Sequence, residues 1–481
     1  MKTRIKKSIV MLSAAVMSLT ACETAEFGSL NENPNEPTSA SPSILLSNVE
    51  GAVSNYVAAT TPNLYVQYLS NGQYDEESRY QTLNWSYEYW YGVLTDLNRI
   101  IALNTNEETK EEVSASDASN ANQIAVATIL RVYIFQGMTN RWGRLPYTEA
   151  LGGLGNQFPV YDSQEEIYKG LFAELDSALG MIEAGSGPNG DYLFGGDMTR
   201  WEQFGQTLKM VMGLRLSEAD PTLGKTKFNE ALGNVITSNT ENFFYPYLGD
   251  ENNDNPWEDR FYAPSFRRDY LVSDVFVNAL IGSGNSTTPE DPRLAKMAEP
   301  ALNSGTFVGA PYGKSNSDTD SYSFITQDII NNMQAPLYMF TYAEVLFARA
   351  EAAALGWTSE DASSLYEDAI AASMAQWRVS DSAANAYIAS NPYTGLESIG
   401  YEKWVALYLQ GYDSWAEWRR MLAAGYEKEL TAPEDLLSNA TDIPDRDGYP
   451  ATAQSVNEQN YNDAIEAQGP DLLNTKLWIF K

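Results

Sequence analysis

The chain has 481 residues, with 64 Asp and Glu against 31 Lys and Arg, which gives a formal net charge of −33. A surface this acidic repels phosphate backbones, so nucleic acid is excluded as a partner. Histidine is absent, which excludes Ser-His-Asp and Cys-His catalysis and histidine-ligated metal sites. The enzymatic chemistry that remains is that of carboxylates, chiefly glycoside hydrolysis.

The N-terminus has the pattern of an export signal. A basic segment precedes an apolar stretch that runs from Ile9 to Leu19, which is shorter than the roughly 20 residues of a membrane-spanning helix. The tetrapeptide Leu-Thr-Ala-Cys at residues 19–22 resembles the bacterial lipobox. We therefore expect residues 1–21 to be a lipoprotein signal peptide and Cys22, the only cysteine, to carry the lipid. The mature protein would be anchored to a membrane without spanning it.

Composition then predicts a tether followed by one helical domain. Residues 22–43 are rich in Asn, Pro, Glu and Ser and have little to bury, as in a flexible tether. Helical periodicity dominates residues 44–481. Two segments break it, 237–335 and 429–470, where Gly, Asn, Asp and Pro are frequent. Long irregular segments of this kind are often functional, so we interpret them as excursions from a single helical domain.

Particular helices can be placed from their spacing and caps. Val126, Ile129, Leu130 and Tyr133 form one apolar face of a helix that ends near residue 140, and residues 163–166 (Ser-Gln-Glu-Glu) have the form of a capping box. Apolar stripes over 343–354 and 365–374 flank a Gly-Trp turn and are rich in alanine. Alanine allows close helix approach, so we predict a tetratricopeptide-like hairpin and an all-α solenoid.

The order of short motifs over the whole mature chain resembles the SusD/RagB family, and within it the SusD-like branch. The motifs are Trp90-Tyr91 through Asn98, residues 140–147 (NRWGRLPY), Tyr168 through Leu179, Leu208 through Arg215, residues 291–294 (DPRL), Tyr342 through Ala352, Lys403-Trp404, residues 415–420 (WAEWRR), residues 444–446 (PDR), Tyr449-Pro450, Asn457-Glu458 and Asn460-Tyr461.

This resemblance implies an all-α fold in which tetratricopeptide-like helices pack against an irregular ligand-binding half. It also implies a lipid-anchored protein on the surface of the outer membrane of Bacteroidota. Such a protein caps a SusC-like TonB-dependent transporter, captures an oligosaccharide or a peptide, and delivers it to the channel.

Sugar rings stack on exposed aromatic rings, and their hydroxyls are oriented by carboxylates, amides and guanidinium groups. Residues 250–262 combine these groups, and the predicted ligand-binding residues there are Asp254, Asn255, Trp257, Arg260, Phe261 and Tyr262. The alternative is that the tryptophan pins this loop to the solenoid. The Asp/Asn spacing resembles a Ca²⁺ loop but lacks the glycine and the terminal glutamate of an EF-hand. We therefore predict no metal or other cofactor, with Ca²⁺ as the alternative.

Three further aromatic residues are candidate ligand platforms. Tyr74 and Trp85 precede a predicted helix, and Tyr312 lies in a Gly-Ala-Pro-Tyr-Gly turn. An ordinary turn residue is the alternative for Tyr312. Trp142 and the pair Trp415 and Trp418 are instead predicted to pack in the core.

The leading hypothesis is a non-enzymatic binding protein with a neutral oligosaccharide as its ligand, because the acidic surface disfavours strongly anionic glycans. A peptide-binding member of the same importer class is one alternative. A surface glycoside hydrolase on a helical barrel and an independent helical scaffold for protein partners are the others.

Overall fold

A computed structural model describes residues 40–82, 84–250, 252–262, 265–426 and 430–481. The predicted signal peptide, Cys22 and most of the predicted tether lie outside these residues. The helices are Pro42–Val57, Thr61–Tyr65, Asp75–Ser78, Glu88–Thr105, Lys110–Ser116, Asn120–Trp142, Gln164–Met181, Met198–Arg215, Pro221–Ala231, Pro256–Phe261, Asp274–Ile281, Leu294–Met297, Gln327–Ile330, Tyr342–Ala354, Ala362–Gln376, Asp381–Ser390, Leu396–Ala406, Tyr412–Ala424, Ala451–Val456 and Glu458–Gln468, and the strands are Leu69–Asn71, Phe243–Tyr245, Tyr270–Val272 and Leu337–Phe340.

The cap signals in the sequence mark helix ends correctly. The Ser163 hydroxyl accepts from the Glu166 N–H while the Glu166 carboxylate accepts from Ser163, so the predicted capping box is confirmed. The helix Asn120–Trp142 ends at Gly143, whose φ is +79°. A Cβ atom there would lie 2.0 Å from Gln468 Oε1, so both the backbone angle and the close packing require glycine.

The predicted hairpin is present and confirms the helical repeat. Tyr342–Ala354 and Ala362–Gln376 pack against each other, and the Asp361 side chain caps the second helix by accepting from the Ser364 N–H. Ala350 and Ala369 are fully buried in this cluster. The all-α prediction is therefore confirmed, and Pro42–Lys481 form one compact unit.

Two short antiparallel strand pairs connect the irregular segment 237–335 to other parts of the chain. Tyr270–Val272 pairs with Leu69–Asn71, and Phe243–Tyr245 pairs with Leu337–Phe340. The helices described between residues 237 and 335 have at most eight residues. In the second predicted irregular segment, helices begin at Ala451, so the irregular part extends from residue 430 only to residue 450 among the described residues.

A network of buried charges crosses the helical core. Glu417 accepts from three cations: Lys403 at 2.5 Å, Arg420 at 2.9 Å and Arg215 at 3.0 Å. Arg420 also contacts Glu351 at 2.5 Å. Burial disfavours the charge on Glu417, but the neighbouring cations outweigh it and hold the pKa of this carboxyl well below its usual range. The network therefore joins helices that are far apart in sequence.

Glu344 is another buried carboxyl, but its pKa is shifted upwards, in the direction opposite to that of Glu417. Burial, followed by the charge of Asp413, raises its pKa from 4.5 to about 8. The folded state holds the proton on Glu344 more tightly than the unfolded state does. The contribution of this proton to the free energy of unfolding is therefore complete below the pKa of the unfolded state, and it is lost as the pH rises towards 8. We expect Glu344→Gln to melt increasingly higher than the wild type between about pH 5 and about pH 9. A Tm difference that does not change with pH would contradict this assignment.

Candidate functional site

The helix Pro256–Phe261 is the centre of the candidate site. Asn255 caps it by accepting from the Trp257 N–H at 3.0 Å, and its amide donates to the carbonyl of Ile329 at 3.2 Å. Asn255 is fully buried, so it anchors the helix and is not exposed for a ligand. One cleft on this helix is lined by Arg260 and Phe261, and a second cleft is lined by Pro256 and Asp259.

Trp257 is in the core, which corrects the prediction that it meets a ligand. It is 0% exposed. Its ring packs edge-on against Tyr270 with centroids 6.0 Å apart, and the Arg260 guanidinium lies 4.8 Å from its centroid. A ring enclosed in this way offers no face to a sugar, so the alternative of a structural anchor describes it.

We call the first cleft the Tyr74 cleft. It has a volume of about 270 Å³ and is lined by Asn71, Tyr74, Glu77, Arg260, Phe261, Ser265, Arg267, Asp269 and Tyr270. Tyr74 is 43% exposed, and the guanidinium of Arg267 lies 4.9 Å from its ring centroid. Asp269 holds Arg267 through a 2.6 Å ion pair. An exposed phenol ring is thus fixed beside charged groups.

The polar wall of the Tyr74 cleft is ordered by its own hydrogen bonds. Glu77 Oε2 accepts from the Asn71 amide at 3.0 Å and from the Tyr270 hydroxyl at 2.9 Å. Burial, then the Glu77 charge, raises the pKa of Tyr270 to about 12, so this hydroxyl stays protonated and donates. Arg260 donates to the carbonyls of Pro256 and Ala58 at 3.0 and 3.2 Å, and burial lowers the pKa of this guanidinium. These groups present fixed donors and acceptors to a polar ligand.

The remaining residues that were predicted to bind a ligand lie in different parts of the structure. Phe261 lines the Tyr74 cleft but is mostly buried. The Tyr262 hydroxyl donates to Gln327 at 2.8 Å, Trp85 packs half-buried against the core, and Asp254 lines the second cleft. Tyr312 is buried and donates to the carbonyl of Leu64 at 2.7 Å, which corrects its prediction as an exposed platform.

Sequence reasoning missed the segment that follows residue 262. Phe266 is 72% exposed with a φ of +48°, and Arg267, Asp269 and Tyr270 all line the Tyr74 cleft. The signal was present in the sequence, because the run Phe-Arg-Arg-Asp-Tyr at 266–270 combines aromatic and charged residues, as residues 250–262 do.

We call the second cleft the tyrosine–amide cleft. Its volume is about 540 Å³, and it is lined by Ser47, Asn48, Gly51, Ala52, Ser54, Asn55, Tyr89, Tyr192, Tyr245, Tyr247, Leu248, Asn252, Asn253, Asp254, Pro256 and Asp259. Tyr89 and Tyr192 are each about half exposed. Tyr247 is buried and shares a 2.9 Å hydrogen bond with Ser54. This cleft is richer in amides than the Tyr74 cleft, and its acidic residues are Asp259 of the central helix and Asp254, which precedes the helix.

Residues 34–450 match the sequence pattern of the SusD-like family, whose description is "Starch-binding associating with outer membrane". The chain belongs to the SusD-like family. The recognition made from the order of motifs is thereby confirmed. No curated protein matches the sequence.

Solved structures share the SusD-like fold. A chitin-binding protein has a TM-score of 0.77 and 24% identity, with 92% of this chain and 100% of that chain covered. A SusD homologue from Bacteroides fragilis has a TM-score of 0.77, 23% identity and the same coverage. A chitin-binding SusD homologue from Flavobacterium johnsoniae has a TM-score of 0.70 and 21% identity, with 91% and 97% covered.

Within the described residues, no helix combines the length and the apolar character needed to cross a membrane. The predicted lipid anchor at Cys22 falls in the part of the chain that is not described.

Proposed function

We propose that the protein captures a neutral oligosaccharide at the cell surface and hands it to a SusC-like TonB-dependent transporter in the outer membrane. The observation that carries this proposal is the Tyr74 cleft. It combines an exposed phenol ring with amide, carboxylate and guanidinium groups held in place by hydrogen bonds. This is the set of groups that binds the apolar face and the hydroxyls of a sugar.

Net charge and family description both favour a neutral glycan. The chain carries a formal charge of −33, which disfavours polyanionic sugars through long-range repulsion. The family description names starch, and two of the similar structures are described as chitin-binding. Starch and chitin are both uncharged polysaccharides, so their chemistry agrees with the charge argument.

The proposed partner and anchor rest on the sequence and on the family. The lipobox at residues 19–22 would attach the mature N-terminus to lipid at Cys22, and the family is described as associating with the outer membrane. Purification of the lipoprotein from outer membranes should therefore yield a large transporter barrel in the same complex. A lipoprotein that purifies alone under conditions that preserve such complexes would favour the independent scaffold.

The second candidate function within the same importer class is peptide capture. The ion pair between Arg267 and Asp269 beside Tyr74 offers one cation and one anion, which could bind peptide termini. Titration with a peptide library alongside the glycans distinguishes the two ligand classes, because peptide binding by such an ion pair weakens steeply with added salt and glycan stacking does not.

We expect Tyr74→Ala to weaken glycan binding by about tenfold, since loss of one stacked ring removes roughly 1.5 kcal/mol of binding free energy. Isothermal titration calorimetry of the purified mature protein measures this change. Tyr192→Ala is the matched control, because it removes a tyrosine of similar exposure from the tyrosine–amide cleft. If Tyr192→Ala abolished binding and Tyr74→Ala did not, the glycan site would move to the second cleft.

A further inference from the structure

Three carboxylates of the tyrosine–amide cleft region converge on one point. Asp254, Glu258 and Asp259 each place one carboxylate oxygen within 4.8 Å of those of the other two. Asp254 and Asp259 line the cleft itself. Three like charges at this separation repel one another strongly, and the repulsion increases where water is excluded.

Glu258 adds an independent observation. This residue is 6% exposed, and its Oε2 atom is buried without a hydrogen-bond partner among the described residues. A buried carboxylate oxygen that lacks a partner is costly unless a cation or a proton satisfies it. The two side chains that converge with it, Asp254 and Asp259, are themselves acidic, so neither supplies a positive charge.

We propose that Asp254, Glu258 and Asp259 bind a calcium ion. Calcium prefers oxygen ligands at about 2.3–2.6 Å, so oxygens on opposite sides of the ion lie about 5 Å apart, which agrees with the observed spread. Its flexible coordination by six to eight oxygens suits three carboxylates completed by water and by the amides of Asn252 and Asn253. Magnesium instead requires a nearly ideal octahedral set at shorter distances.

The position of this site gives the ion a structural role. Glu258 and Asp259 lie on the helix Pro256–Phe261, which also carries Arg260 and Phe261 into the Tyr74 cleft. A cation that neutralises the acidic face of the helix would hold both clefts in their observed arrangement. The calcium site stands on its own geometry and does not depend on which ligand enters the Tyr74 cleft.

Terbium luminescence provides the test, because Tb³⁺ replaces Ca²⁺ at oxygen sites and is sensitised by a nearby indole. Trp257 precedes Glu258 in the same helix and can act as that donor. We expect the purified mature protein to give a saturable Tb³⁺ signal that Ca²⁺ displaces and Mg²⁺ displaces much less well. Glu258→Gln should weaken the affinity by at least about tenfold, since affinity follows the ligand charge count.

Glu466→Gln is the matched control, since it makes the same chemical change at an exposed position on the helix Glu458–Gln468. It should bind Tb³⁺ as the wild type does. In EDTA, Glu258→Gln should melt no lower than the wild type, because it removes one of three repelling charges. Added Ca²⁺ should raise the Tm of the wild type and of Glu466→Gln more than that of Glu258→Gln. Absence of saturable binding to the wild type, or equal binding to Glu258→Gln, would overturn the proposal. Asp254→Asn repeats the test if Glu258→Gln fails to fold.

Discussion

Replacing Glu417 by alanine is expected to lower the free energy of unfolding by about 3–5 kcal/mol, the largest loss we predict for a single carboxylate in this chain. Glu417 accepts from Lys403, Arg215 and Arg420, and all four side chains are at most 1% exposed. Its removal leaves two arginines and a lysine buried with too few negative charges. Chemical denaturation followed by circular dichroism measures the change.

Glu165→Ala is the control for this prediction. Glu165 forms an ion pair with Lys169 at 2.5 Å, which is as short as the contact between Glu417 and Lys403, but both partners are about half exposed. Exposed pairs contribute less than about 1 kcal/mol. Similar losses in the two variants would contradict the claim that burial makes the core network stabilising.

Trp257→Ala is expected to lower the free energy of unfolding by about 3–5 kcal/mol, because it leaves a large cavity in a packed core. Trp257 is fully buried against Tyr270 and Arg260. A tryptophan that stacked on a sugar from the surface would instead lose affinity and leave stability nearly unchanged. Denaturation and glycan titration of the same variant distinguish these two roles.

Tyr74→Ala should give the opposite pattern and serves as the reference. Tyr74 is 43% exposed, and exposed substitutions away from buried networks usually change stability by no more than about 0.5 kcal/mol. If Trp257→Ala unfolded like the wild type and bound no glycan, the burial of Trp257 would have been misassigned.

Local signals in the sequence predicted helices far better than they predicted the site. The capping box at Ser163 and the alanine-rich hairpin after residue 341 depend on neighbours within a few residues, so their spacing alone identifies them. The buried network around Glu417 joins helices that begin at Met198, Tyr342, Leu396 and Tyr412, and sequence spacing does not show which charges will meet.

The error at Trp257 has a specific physical cause. The polar and turn residues that flank Trp257 suggest, from the sequence alone, that it lies on an exposed loop. Asn255 is instead an N-cap, Pro256 occupies the first helical turn, and Glu258 and Asp259 follow in that turn. This is the ordinary composition of a helix start. The polar residues satisfy the backbone at the helix end while the tryptophan is buried behind them.

The Tyr74 cleft could not be assembled from the sequence because it depends on a long-range strand pairing. Leu69–Asn71 pairs with Tyr270–Val272, some 200 residues later in the chain. This pairing brings Arg267 and Asp269 beside Tyr74. The sequence shows that these residues are aromatic or charged. The strand pair that brings them together has only three residues on each strand and no distinctive sequence pattern.

The most direct test of the central claim is calorimetric titration of the purified mature protein with neutral chitin and starch oligosaccharides, with the products analysed after incubation. We predict saturable binding to a neutral oligosaccharide, no cleavage, and a loss of affinity in Tyr74→Ala that Tyr192→Ala does not share. Release of shorter sugars would contradict the assignment as a binding protein and support a glycoside hydrolase. Binding to peptides alone, or glycan binding that is indifferent to Tyr74, would contradict the proposed ligand or the proposed cleft.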